Sequence, residues 1–92
     1  MAQINANPER LREFAQQLKN FAEFIDSNVL DIHYKLGKLG ETWEDQEFEE
    51  FVSEFSKAKL ILEAFADESR ATAPLLEKDA QAMEEYLGIK PR

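Results

Sequence analysis

The chain has 92 residues and a mass of 10.7 kDa, which allows one domain with a modest core and excludes two domains or a large pocket-bearing enzyme. Hydrophobic residues make up 43%, charged residues 33%, and Gly and Pro only three each, a composition that excludes intrinsic disorder, collagen-like repeats and a turn-rich β-sandwich. A net charge of −8, with 11 bases scattered among 19 acids, argues against binding to a phosphate backbone.

Absence of cysteine rules out a disulfide framework and a thiolate metal site and leaves the redox compartment open. The stretch Met1-Ala2-Gln3-Ile4-Asn5-Ala6-Asn7 has neither a basic nor an apolar region of the kind a secretory signal needs. No apolar run approaches the ~18 residues of a membrane span. The expectation is a small, soluble, acidic, all-α protein.

A first helix is predicted over about 8–37. Asn7 caps, Pro8 suits the first helical position, and Glu9 favours the positive helix end. Apolar positions then recur at Leu11, Phe14, Leu18, Phe21, Ile25, Val29, Ile32, Leu36 and Leu39, an average step of 3.5 residues. That period is the seam of a coiled coil. Gly37 and Gly40 are expected to end it, with a turn over 38–42.

A second helix is predicted over about 43–87. Thr42 is the expected cap, with Asp45 completing a capping box from the third helical position. The second seam reads Phe48, Phe51, Phe55, Ala58, Leu62, Phe65, Ser69, Ala73, Leu76, Ala80, Met83 and Leu87, again at about 3.5 residues per step. Gly88 and Pro91 close it. Matched periods predict one domain over 1–92, an antiparallel two-helix hairpin with shallow crossing.

Pro74 falls inside the second seam and is expected to kink or restart the helix. A turn near Glu41 would set Pro8 opposite Pro74, leaving residues 75–87 to project past their partner. Trp43, Ile61, Leu75 and Tyr86 sit to one side of the second seam, and Leu30 and Tyr34 on the polar back of the first. Two helices cannot cover all of this, so the hairpin is expected to dimerise into a four-helix bundle.

Charge is divided unevenly. Residues 1–40 are neutral overall, and the whole −8 lies in residues 41–92. Seven acids (Glu41, Glu44, Asp45, Glu47, Glu49, Glu50 and Glu54) precede Lys57. The i,i+4 pairs Asp45/Glu49 and Glu50/Glu54 could offer oxygens to a cation, but acids at a helix start read first as a solvated face favoured by the dipole. His33, the sole histidine, has no second ligand on its face. No phosphate loop or nucleophile–base pair appears, so no enzyme, cofactor or metal site is expected.

Trp43 beside a glycine turn admits two readings, a plug closing the hairpin tip or a surface anchor for a partner. The stretch Leu39-Gly40-Glu41-Thr42-Trp43-Glu44-Asp45, with Phe51 eight residues after the tryptophan, resembles the turn of the Trp-X-Gly (WXG) family of type VII secretion substrates, the group that includes early-secreted-antigen-like proteins. The resemblance implies an antiparallel hairpin that forms a homodimer, or a heterodimer with a similar hairpin. It also implies partners such as a secretion ATPase or an effector protein, and export without a cleaved signal peptide.

The family's glycine two residues after the tryptophan is Asp45 here, and the family's Tyr-X-X-X-Asp/Glu export signal is matched neither by Tyr86, followed by Lys90, nor by Tyr34, followed by Lys38. The sequence therefore supports a non-catalytic secretion substrate or partner, with a cytoplasmic adaptor or targeting chaperone for a larger effector as the alternative. The residues expected to meet a partner are Gly40, Trp43, Asp45, Ile61, Phe65, Leu75 and Tyr86.

Overall fold

A computed structural model describes residues 7–88. Residues 1–6 of the N-terminal stretch, and Lys90 and Pro91, lie outside the described residues. Two helices account for nearly all of the rest: α1 over Pro8–Leu39 and α2 over Gln46–Leu87, with no strand among the described residues. They lie side by side as an extended hairpin measuring 63 × 29 × 15 Å.

Local chemistry sets the ends of α1. The Asn7 side chain accepts a hydrogen bond from the Glu9 N–H at 2.9 Å, Pro8 occupies the first turn, and Lys38 lies in the last. These features satisfy an orphan amide and complement the helix dipole. Gly37 does not end the helix as expected. α1 passes through it and stops at Leu39, with Gly40 as the C-cap in ordinary right-handed geometry at φ −63°.

The start of α2 is also corrected. Thr42 does not cap it; its hydroxyl donates instead to the Leu39 carbonyl at 3.3 Å. Asp45 is the N-cap, in extended backbone, and its Oδ1 accepts from the Phe48 N–H at 3.0 Å. Asp is among the best N-cap residues and ranks above Thr, so the helix begins at Gln46 rather than 43. α2 then runs unbroken for 42 residues through an exposed Pro74; the proline does not restart it. At the far end Gly88 adopts φ +72°, the left-handed cap conformation that favours glycine.

Small residues make the contact between the helices. Ala15 and Ala22 of α1 and Ala66, Ala73 and Ala80 of α2 are fully buried, and Ser69 nearly so. Ile25 and Val29 join Ala22 and Ala66 in the densest cluster, with Phe55 packed on its edge. Where the facing residues are alanine and serine, two helices can approach closely and gain dispersion along their length.

One edge of this contact carries three interhelical ion pairs. Arg12 donates to Glu84, Lys19 Nζ lies 3.0 Å from Glu77, and Arg70 lies 2.7 Å from Asp26. Steps of seven on both helices keep the pairs on one stripe each. The Arg12 pKa is raised, chiefly by its hydrogen bond to Glu84, and that of Arg70 is raised by its bonds to Asp67 and Asp26. Both guanidinium groups therefore keep their charge until strong alkali.

The same pairs correct the expected overhang. The overhang is shorter than expected: Ala80 and Glu84 are buried and Glu84 meets Arg12, so residues 75–84 still pack along α1. Pro8 therefore lies opposite the C-terminal end of α2, not opposite Pro74. Two causes combine. The turn takes up 40–45, and side chains lean toward their own helix N-terminus, so Arg12 reaches away from the tip while Glu84 reaches toward it.

Candidate functional site

Opposite the ion-paired edge, large apolar side chains are left open. Phe14, Phe21, Ile32 and Leu39 of α1 recur at steps of 7, 11 and 7, one stripe of a helix. Phe51, Leu62 and Phe65 form the corresponding row on α2. Phe21 and Phe65 pack edge to face, ring centroids 5.8 Å apart, which ties the two rows into one surface. Phe14 is nonetheless 52% exposed, Phe21 44%, Phe51 52% and Phe65 51%. Aromatic rings of this size on one contiguous stripe are the mark of an interaction surface.

The expected seams thus divide in the structure. Ile25, Val29, Ser69, Ala73 and Ala80 serve the hairpin's own contact, whereas Phe14, Phe21, Ile32, Phe51, Leu62 and Phe65 face outward. Ala15 and Ala22 formed no part of the first seam as read from sequence. Their burial is what moves the bulky residues off the internal contact.

The tip is a second, more local arrangement. Its backbone is held by the Trp43 N–H donating to the Leu39 carbonyl at 2.9 Å and the Gly40 N–H donating to Leu36 at 3.0 Å. The half-buried indole of Trp43 packs edge to face on Phe48 with centroids 5.3 Å apart, and its Nε1 donates to Asp45 Oδ2 at 2.6 Å. Gly40 completes the cluster for a steric reason: a Cβ there would lie 2.9 Å from the Phe48 ring. A short apolar groove of about 430 Å³ runs beside it, lined by Leu36, Gly37, Gly40, Phe48, Val52 and Phe55.

Of the residues singled out from sequence, Gly40, Trp43 and Asp45 meet at the tip, and Phe65 joins the aromatic face. Ile61, Leu75 and Tyr86 are exposed at 70%, 61% and 83%, strung along the outer side of α2 and remote from the tip. Phe48 is the tip residue that sequence reasoning left in the core seam. Its place three residues after the capping Asp45 is the signal that could have assigned it.

No group of three or more potential metal ligands converges among the described residues. His33 is exposed and borders the groove beside Gly37. No helix among the described residues is long and apolar enough to cross a membrane.

An extended pair of helices, joined by a tryptophan-bearing turn and carrying an uncovered aromatic face, defines a helical-hairpin protein of the WXG type. The family model described as WXG100, proteins of 100 residues with WXG, matches residues 3–86, and the chain belongs to that family. Association with type VII secretion follows from this membership. No curated protein matches the chain.

Proposed function

We propose that the protein is a non-catalytic secretion substrate or partner of a type VII system that acts by pairing with a second helical hairpin through its aromatic face. The observation that carries this reading is the division of labour between the faces. Five alanines and Ser69, with Ile25 and Val29, close the hairpin on itself, while Phe14, Phe21, Phe51 and Phe65 remain about half exposed. A second hairpin laid over that face would complete a four-helix bundle and remove those rings from water.

Light scattering on the purified chain at tens of micromolar tests the proposal. The expected particle has twice the chain's 10.7 kDa, or becomes such a particle when a second hairpin from the native host is co-expressed. A persistent monomer that recruits no hairpin overturns it.

The adaptor reading draws support from the acidic turn and first turns of α2, where seven acids over residues 41–54 precede Lys57. Lys90, four residues after Tyr86, fits a chain whose export signal is supplied by its companion. Recovery from the culture medium favours the substrate. Retention in the cell, in a stable complex with a larger effector, favours the adaptor.

A further inference from the structure

The residue that departs from the family's Trp-X-Gly turn is also the most engaged side chain at the tip. Asp45 Oδ1 accepts from the Phe48 N–H at 3.0 Å, and Oδ2 accepts from Trp43 Nε1 at 2.6 Å. A glycine can do neither, having no side-chain acceptor. The two bonds converge on one object, because Phe48 is also the ring against which the indole packs. Helix start, indole and Phe48 are thereby fixed to one another by a single carboxylate.

We propose that Asp45 is the positioning residue of the tip, presenting Trp43 to a partner in one preset orientation and with its only hydrogen-bond donor already occupied. This rests on the reading of Trp43 as a partner anchor. Indole has one donor and no acceptor. With Nε1 directed into Asp45, what the tip offers is the apolar body of the ring, in a turn that also carries Glu41 and Glu44, both exposed. The matching surface on a partner protein is an apolar cleft with basic residues at its edge. A polar pocket offering an acceptor to the indole would have to displace Asp45 first. Fixing the ring beforehand also removes the ordering cost of a free aromatic side chain from the binding step.

The test separates the two bonds of Asp45. Asp45→Asn keeps a good N-cap but sets an amide N–H₂ where the second carboxylate oxygen accepted, so it loses the indole bond alone. Trp43 is the only tryptophan, so its indole N–H exchange rate by NMR and its acrylamide quenching report this site without ambiguity. In the wild-type chain the indole N–H is expected to exchange at least tenfold more slowly than in a free tryptophan peptide. Asp45→Asn is expected to abolish that protection and raise the quenching constant about twofold while helicity stays unchanged.

Equal exchange and quenching in wild type and variant, at equal helicity, overturn the proposal. Should the variant lose helix, the wild-type measurement decides alone: an unprotected indole overturns the assignment, and a protected one supports it. These readouts need no partner. Failure of the anchor reading itself appears separately, as unchanged partner affinity in Trp43→Ala with the indole protection of the wild type intact.

Discussion

The two long faces of this hairpin are built from the same two helices and behave in opposite ways. One, where α1 meets α2, is made mainly of alanine, with Ser69, Ile25 and Val29, and is edged by Arg12–Glu84, Lys19–Glu77 and Asp26–Arg70. The other is made of phenylalanine, leucine and isoleucine and stands half open. In a large monomeric domain the bulky side chains would be inside. Here the small ones are, because close helix approach needs short side chains and because two helices are too few to enclose large rings. The difference teaches that internal packing and the surface left for a partner can occupy neighbouring stripes of one heptad pattern.

The sharpest way to break this division is to put bulk where the alanines are. Ala22 is fully buried at the centre of the contact, and Ala22→Leu inserts three carbons between closely packed helices. A loss near the upper end of ~1–3 kcal/mol is expected, read by urea unfolding followed by circular dichroism. An unchanged midpoint would show that the helices are held by something other than their alanine contact.

A tip substitution should act on association more than on folding. Trp43→Ala is expected to weaken partner binding by ~2 kcal/mol or more, the scale of an interface hot spot. Loss of its edge-to-face contact with Phe48 should lower stability by only ~0.5–1.5 kcal/mol. Titration calorimetry and thermal melts on the same variant separate these effects. A stability loss of ~3–5 kcal/mol with intact affinity would make the indole a core plug.

On the aromatic face, Phe65→Ser should reduce association at least tenfold, ~1.4 kcal/mol, as seen by sedimentation equilibrium. The isolated hairpin should lose about 1 kcal/mol or less with the Phe21 ring contact. The reverse pattern, a large loss of fold with unchanged association, would assign the aromatic face to the internal core.

The smallest effects sharpen the comparison at the end of α1, where two glycines three residues apart should respond with opposite signs. A Cβ at Gly37 meets nothing within 4 Å, so Gly37→Ala should stabilise the helix by ~0.5–1 kcal/mol. A Cβ at Gly40 meets the Phe48 ring at 2.9 Å, so Gly40→Ala should destabilise the tip and perturb Trp43 emission. Thermal melts of the two variants side by side check both signs.

Most of the architecture was legible in the sequence, since a 3.5-residue period on both sides of a glycine-bearing turn leaves little besides an antiparallel hairpin. What remained hidden has identifiable causes. Alanine carries a weak hydrophobic signal, so Ala15 and Ala22 are outweighed by Phe14 and Phe21, and the expected seam is rotated toward the phenylalanines from the actual contact. Two residues able to cap α2, Thr42 and Asp45, lie three apart, and only geometry reveals which side chain reaches an amide. At the candidate site, Trp43, Gly40 and Asp45 were identifiable one by one. Their mutual engagement through Phe48 depends on how the turn folds back.

The ion pairs along the closed edge have a consequence for how the hairpin finds its alignment. A heptad repeat is nearly indifferent to sliding by seven residues, because apolar stripes still face each other after the slip. The charges are not indifferent. In the native alignment two bases and an acid, Arg12, Lys19 and Asp26, oppose two acids and a base, Glu84, Glu77 and Arg70. Slide α2 by one heptad in one direction, and Lys19 confronts Arg70 while Asp26 confronts Glu63. Slide it the other way, and Asp26 confronts Glu77. The reversal of sign at the third position therefore works as a key cut for one register, penalising alignments that hydrophobic periodicity alone would leave nearly degenerate.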